Sequence, residues 1–240
     1  MTSPNGVTRA SSPAAYNAGM ATVVAPISAD SIAAAYLPSR YHYWYARSKI
    51  ATDPLYAQVK SILASKPAPL LDIGCGIGLL ALYLHRSGVE LNYRGIDIDT
   101  DKIDIAIEAA QTLGLRNAQF EFCDLAQSFP LHEGSVALLD VLQYLDTDVR
   151  DVVLERAARC IGTGGQLIIR AGLDDGSWRA SFTRFTDRAQ HTLRWMKTPP
   201  RSQPTREAIA DLLTRHGFSG EFRPLWGNTP FNNWLVIASR

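Results

Sequence analysis

The sequence predicts an α/β fold, doubly wound around a mostly parallel sheet, on three observations. Short apolar runs alternate with segments of helical period from Pro69 to Ala171, the pattern of strands joined by crossover helices. The first of these runs ends in a glycine-rich turn, Gly74-Cys75-Gly76-Ile77-Gly78. Acidic residues then stand at the carboxyl end of one run after another, at Asp72, Asp97, Asp124 and Asp140.

In chain order, residues 1–27 are rich in Ala, Ser, Thr, Pro and Gly. They hold too little apolar surface to offset ordering entropy and read as a disordered tail. Residues 28–240 read as a single domain, opened by N-terminal helices over 28–66. A short helix over 28–36 stops at Pro38, and an aromatic run follows, Arg40-Tyr41-His42-Tyr43-Trp44-Tyr45-Ala46-Arg47. Asp53 then caps a further helix with Pro54 in its first turn. Strands are predicted over 70–73, 93–98, 119–123, 136–139 and 166–171. Helices are predicted over 79–85, 101–113 and 148–160, the second closed by Gly114. Residues 172–203 form an insert that reads as a helical cap. Thr205 caps a last helix ending at His216-Gly217. Strands over 221–225 and 234–238 lie too close in sequence for a crossover helix, so they pair as an antiparallel hairpin.

Composition narrows the function. The 240 residues carry 24 Lys plus Arg against 23 Asp plus Glu, a net charge of +1, without the basic excess of a general nucleic-acid binder. The three cysteines, Cys75, Cys123 and Cys160, form no CxxC pair, which argues against a zinc knuckle, a metal site or a disulfide framework and fits a reducing cytoplasm. No apolar run has the length of a signal peptide core or a membrane span.

The glycine turn points to a ligand at the carboxyl edge of the sheet. A dinucleotide fingerprint would place its third glycine at position 79, but Leu79 stands there and the glycine is Gly78. No lysine follows as in a phosphate-cradling loop. Asp72 is poorly placed beside a pyrophosphate and well suited to an ammonium group. S-adenosylmethionine carries such an amine, a carboxylate, a ribose and an adenine, and no phosphate. Asp97 is then placed for the ribose hydroxyls, Ile98 for the adenine face, Asp124 for the adenine amino group and Asp140 for the methionine part. Each strand-end aspartate has a plainer alternative as the cap of the next helix.

These segments resemble the successive motifs of class I S-adenosylmethionine-dependent methyltransferases: Asp72-Ile73-Gly74-Cys75-Gly76-Ile77-Gly78, Gly95-Ile96-Asp97, Cys123-Asp124-Leu125 and Leu139-Asp140-Val141-Leu142-Gln143-Tyr144-Leu145. The resemblance covers about residues 67–171 and the closing hairpin. It implies a seven-stranded Rossmann-like sheet with an antiparallel last strand. It also implies S-adenosyl-L-methionine as cofactor, held by Asp72, Gly74, Gly76, Gly78, Asp97, Ile98, Asp124, Leu125 and Asp140. Gln143 stands where many small-molecule members carry His, which puts a base at that position in doubt. A narrower stretch from Tyr45 to Tyr56 is similar to methyltransferases of aryl-polyene pigment clusters of the xanthomonadin type, thought to act on aromatic precursors or their carrier-bound acyl forms.

The resemblance places acceptor contacts in the N-terminal helices and the insert. Tyr41, His42, Tyr45, Tyr144 and Trp178 become candidates for the acceptor wall, with Arg47 near the cofactor carboxylate. Arg184, Arg188 and His191 share a helical stripe that reads either as a solvated face or as a docking surface for an acidic acceptor, free or bound to an acyl carrier. His42 and His191 are the candidate bases, with Gln143 beside the reacting centre. The competing readings are a nucleotide-dependent oxidoreductase, disfavoured by the glycine spacing and Asp72, and a non-catalytic module that keeps the cofactor fold. A nucleic-acid methyltransferase is disfavoured by the charge balance and by the absence of an Asn/Asp-Pro-Pro-aromatic motif.

Overall fold

A computed structural model describes residues 28–174, 176–179, 203–227 and 230–240. The tail over 1–27 and the insert residues Arg184, Arg188 and His191 lie outside the described residues. Seven strands form one sheet: β1 Leu70–Ile73, β2 Tyr93–Asp97, β3 Ala118–Phe122, β4 Ser135–Leu139, β5 Leu167–Gly172, β6 Ser219–Pro224 and β7 Asn233–Ser239. Their order is β3-β2-β1-β4-β5-β7-β6. The first five run parallel, and β7 is antiparallel to both β5 and β6. The doubly wound sheet and its terminal hairpin are therefore as the sequence pattern predicts.

Seven helices are described: α1 Ala29–Ala33, α2 Arg40–Thr52, α3 Leu55–Ser65, α4 Leu79–Arg86, α5 Thr100–Thr112, α6 Thr147–Arg159 and α7 Arg206–Arg215. A 3₁₀ turn over Ala34–Tyr36 extends α1. No described helix is long and apolar enough to cross a membrane.

Alternation along the strands sorts the core into two layers. Leu70, Ile168, Leu235 and Ile237 pack with Val59, Leu63, Leu80 and Leu84 of α3 and α4. Leu71, Ile73, Val136, Leu138 and Ile169 pack with Leu154, Leu212 and Leu213 of α6 and α7. All four residues of β1 are buried, and by alternation Asp72 shares the face of Leu70. Arg170 likewise shares the face of Ile168, beneath the N-terminal helices.

The strand ends differ from the sequence boundaries for a local reason. β2 stops at Asp97 rather than Ile98, because the Asp97 carboxylate accepts the Asp99 N–H at 2.9 Å and turns the chain. Asp99 then caps α5, accepting the Asp101 N–H at 3.2 Å. Strand order reverses between β1 and β4, and such a switch point opens a crevice at the carboxyl ends of the strands.

Candidate active site

The glycine turn lies at that crevice. Its backbone is tied down by Gly74 N–H and Cys75 N–H, both donating to the Ile96 carbonyl at 2.7 and 3.0 Å. Gly74 has φ +74°, and a methyl group there would meet Val141 Cγ2 at 2.3 Å. Gly76 has φ +55°, yet a methyl group there would meet nothing within 4 Å. The first position is glycine because the chain after β4 crosses it closely; the second faces open space where a ligand can approach. Gly78 leads into α4.

Asp97 joins the turn to the end of β2. One carboxylate oxygen accepts the Gly76 N–H at 2.9 Å and the other accepts the Asp99 N–H. Each keeps a lone pair for a further donor. Beside it, Ile98 and Phe122 are both more than half exposed, unusual for large apolar side chains at adjacent strand ends.

Asp72 sits behind the turn and is only 2 % exposed. The Tyr93 hydroxyl donates to Oδ2, while Oδ1 is buried with no partner. Burial raises this carboxyl to about 7 against the opposing Tyr93 hydrogen bond, and the nearby Asp97 adds to the rise. A buried acceptor with no donor is costly, and an ammonium group nearby would offset that cost.

Asp124 opens the turn after β3. Its carboxylate accepts the Ala126 N–H at 3.0 Å and the Gln127 side-chain amide at 2.8 Å. Leu125 is half-buried and packs on the α6–α7 layer.

Asp140 follows β4 with φ +61°, the sole described non-glycine residue at positive φ. Its N–H donates to the Arg170 carbonyl at 3.0 Å, and its own carbonyl accepts the Gln143 amide at 3.0 Å. Its Oδ2 lies 2.6 Å from Arg170 Nη1, which also reaches Asp53 Oδ2 at 2.9 Å. Lys49 Nζ adds a contact to Asp53 at 3.3 Å. Gln143 is therefore buried with its amide nitrogen engaged and its Oε1 without a partner. A carboxamide in this setting orients a backbone carbonyl; it does not take a proton.

On α2, Tyr41, Tyr45 and Lys49 lie four apart and share a face. Tyr45 and Lys49 both feel the charges of Asp140, Arg170 and Asp53, so this face meets the strand ends. Burial raises the Tyr45 phenol, and the acidic neighbours of Lys49 outweigh burial and keep its ammonium charged. Arg47 projects elsewhere. It contacts Asp30 of α1 at 2.6 Å and lies over the Trp44 ring, 5.4 Å from its centroid. The cation that α2 brings to the strand ends is Lys49, which sequence reasoning passed over. Tyr41 is exposed and stands edge-on to His42, whose imidazole is pushed below its ordinary range by burial.

Two further segments bring aromatic residues together, one after β5 and one between β6 and β7. Trp178 is exposed, and the Arg179 guanidinium lies 5.0 Å from the ring centres of both Trp178 and Trp226. Gly227 packs at Pro54, 3.6 Å from where its methyl group would be, which sets the β6–β7 loop against the α2–α3 junction. Tyr144 ends the 3₁₀ turn Leu142–Tyr144 after β4 and is half-buried. A separate cleft of about 510 Å³ lies between α3 and the β6–β7 hairpin, with Ser61, Gln166, Ser219 and Arg223 on its walls and none of the strand-end acids.

Residues 70–165 match a family model described as a methyltransferase domain. The match covers about two fifths of the chain, and the sheet around it has the Rossmann-like fold of solved methyltransferases that hold S-adenosylhomocysteine. The chain is similar to a tRNA (guanine-N(7)-)-methyltransferase of Rubrobacter xylanophilus, 29% identical over 107 residues, which are 40% of this chain and 48% of that protein. It is similar to the methyltransferase GfsG of Streptomyces halstedii, 26% identical over 151 residues, 56% of this chain and 52% of that protein. The chain thus spans about half the length of the curated relatives it matches. Among solved structures, magnesium protoporphyrin IX methyltransferase from Synechocystis, with bound S-adenosylhomocysteine, superposes with a TM-score of 0.62 at 20% identity, over 83% of this chain and 87% of that one. The O-methyltransferase NcsB1 from neocarzinostatin biosynthesis, in complex with S-adenosylhomocysteine and 1,4-dihydroxy-2-naphthoic acid, gives 0.58 at 18% identity, over 82% and 56%. These two likenesses are of fold.

Proposed function

We propose that this protein transfers the methyl group of S-adenosylmethionine to a small acceptor that is aromatic or acidic, free or carried as an acyl group. The observation that carries the reading is the Asp97 carboxylate fastened to Gly76 N–H beside open space. Behind it lies a buried aspartate oxygen still lacking a donor. The two Asp97 oxygens suit the two ribose hydroxyls. Ile98 and Phe122 offer apolar surface to the adenine, with Asp124 and Leu125 at its edge. Asp140 and Asp72 supply the negative charge that the ammonium group requires.

When bound, the cofactor supplies an electrophilic methyl on a cationic sulfur, so the chain's part is alignment and exclusion of water. Holding the acceptor in line contributes several kcal/mol, about 7–11 at most, by proximity. Tyr41, Tyr45, Tyr144, Trp178 and Trp226 supply ring surface for an aromatic acceptor. The anionic alternative rests on the cations Lys49 and Arg179. His42, kept neutral by burial, is the described residue able to take a proton from a phenol or carboxylic acid.

Calorimetry with S-adenosylhomocysteine and with NADH tests this reading. One-to-one binding of the first and no heat from the second is expected; tight NADH binding without a response to S-adenosylhomocysteine would overturn it. Asp97 offers a sharper check. Asp97→Asn keeps acceptor oxygen for one backbone N–H but loses charge-assisted bonds to the ribose, each worth about 1.5–3 kcal/mol. S-adenosylhomocysteine affinity should fall at least about tenfold with a small change in melting temperature. Asp97→Ala also releases the Gly76 and Asp99 N–H groups, so its melting temperature should fall as well. Equal affinity for wild type and Asp97→Asn would remove the ribose role.

A further inference from the structure

Arg170 is a charged residue in a strand whose other side chains are apolar or small, and it is 5 % exposed. Its guanidinium is shared between Asp53, from the α2–α3 junction, and Asp140, from the end of β4. The Asp53 side chain is 9% exposed and the Asp140 side chain 37%. Lys49 also reaches Asp53, at 3.3 Å, so two cations and two carboxylates meet here. The contact to Asp140 completes that balance, and it falls on the more exposed of the two carboxylates.

Asp140 is also held at every backbone polar group. Arg170 takes its N–H, Gln143 takes its carbonyl, and Arg170 Nη1 takes one carboxylate oxygen. This grip maintains a left-handed conformation that a non-glycine residue adopts at a cost. Strained residues persist where the surroundings over-determine them, and they concentrate at ligand sites. The half-exposed carboxylate stands beside Val141, whose methyl group crosses Gly74 of the glycine turn.

We propose that Arg170 is a positioning residue, which fixes the Asp140 carboxylate at the crevice so that it receives the ammonium group of the cofactor's amino-acid part. The inference rests on the methyl-transfer reading above. Asp53 anchors the other side of the guanidinium, so the end of α2, the helix that carries Tyr41 and Tyr45, and the strand end that carries Asp140 are tied through one side chain. An ammonium at Asp140 would sit opposite Arg170, the carboxylate lying between two cations.

Two ligands separate positioning from general support of the fold. S-adenosylhomocysteine carries the amino-acid part; 5′-methylthioadenosine keeps the adenine, ribose and thioether and lacks it. In Arg170→Lys, which retains the charge but cannot reproduce the fork of donors, S-adenosylhomocysteine should bind about tenfold more weakly. Affinity for 5′-methylthioadenosine should stay within about twofold. Asp140→Asn should show the same selectivity, and adding Arg170→Lys to it should cause no further loss, because the arginine acts through that carboxylate. Calorimetry gives the affinities, and circular dichroism melts show that each variant is folded. Equal loss for both ligands, no loss for S-adenosylhomocysteine, or additive losses in the double variant would overturn the positioning role alone. Failure of the wild type to bind either ligand would overturn the methyl-transfer reading together with it. Should Arg170→Lys not fold, Asp53→Asn replaces it, with a severalfold loss for S-adenosylhomocysteine alone as the supporting result and no ligand selectivity as the opposing one.

Discussion

Gly74→Ala should destabilise the protein by roughly 2–4 kcal/mol. At φ +74° an alanine carries the left-handed penalty, about 1–2 kcal/mol, and its methyl group would lie 2.3 Å from Val141 Cγ2. For a domain of this size the melting temperature should fall by about 5–15 °C. The clash and the dihedral penalty are separable. Adding Val141→Ala should recover the steric part and leave the dihedral part. Gly76→Ala makes the contrast, since its methyl group meets nothing within 4 Å. That variant should lose only about 1 kcal/mol of stability yet bind S-adenosylhomocysteine more than about tenfold more weakly, because its methyl group fills space proposed for the ligand. Thermal melts and calorimetry on the three variants decide the matter. A Gly74→Ala protein that melts like the wild type would mean that Val141 does not cross the turn as described.

The contrast between Gly74 and Gly76 shows where sequence reading succeeds and where it stops. Both glycines are visible in the sequence as a turn at a strand end. Only the structure shows that Val141, from the end of the neighbouring strand β4, crowds one and that the other faces open space. Strands were legible because each is a short apolar run with its own turn chemistry, and strand ends moved by a residue or two where a carboxylate such as Asp97 captured the next N–H. The Asp53–Arg170–Asp140 bridge was not legible in the same way. Its two carboxylates lie 117 and 30 positions from Arg170, and pattern rules treat one element at a time. A signal did exist: an arginine inside the run Leu167-Ile168-Ile169-Arg170-Ala171 has to find a buried counter-charge. The sequence reads Asp53 as the cap of α3, whereas the helix starts at Leu55 with Pro54 at the cap position and Asp53 closing α2; its carboxylate still accepts the Leu55 N–H at 3.1 Å, a local role that hides the distant one. Arg47 and Lys49 are both cations on α2, two residues and about 200° of helix apart. Which of them faces the sheet is decided by Asp30 on α1, a contact no helical wheel contains.

Asp72→Asn should change how stability depends on pH. The folded carboxyl is raised to about 7 from an ordinary value of 3.8, with burial as the main cause. A group raised on folding contributes stability in full below its unfolded value and loses it as pH rises through the folded one. The wild type without ligand should therefore weaken between about pH 4 and pH 7 relative to the variant, by an amount on the order of 3–4 kcal/mol. Tyr93 remains a donor to the asparagine carbonyl, while the new amide N–H₂ occupies the place of the unpartnered Oδ1 and costs about 1–3 kcal/mol if it finds no acceptor. That cost is independent of pH, so the informative quantity is the slope. Urea unfolding of both proteins from pH 4 to pH 8 measures it. The curves should diverge across that window, with the variant losing less. A bound ammonium group favours the charged carboxylate, so S-adenosylhomocysteine binding near pH 7 should release part of a proton from the wild type and none from Asp72→Asn. Calorimetry in two buffers of different ionisation enthalpy reads that release directly. Parallel unfolding curves would show that Asp72 is ionised in the folded protein throughout, and identical proton release in both proteins would place the ammonium out of its reach.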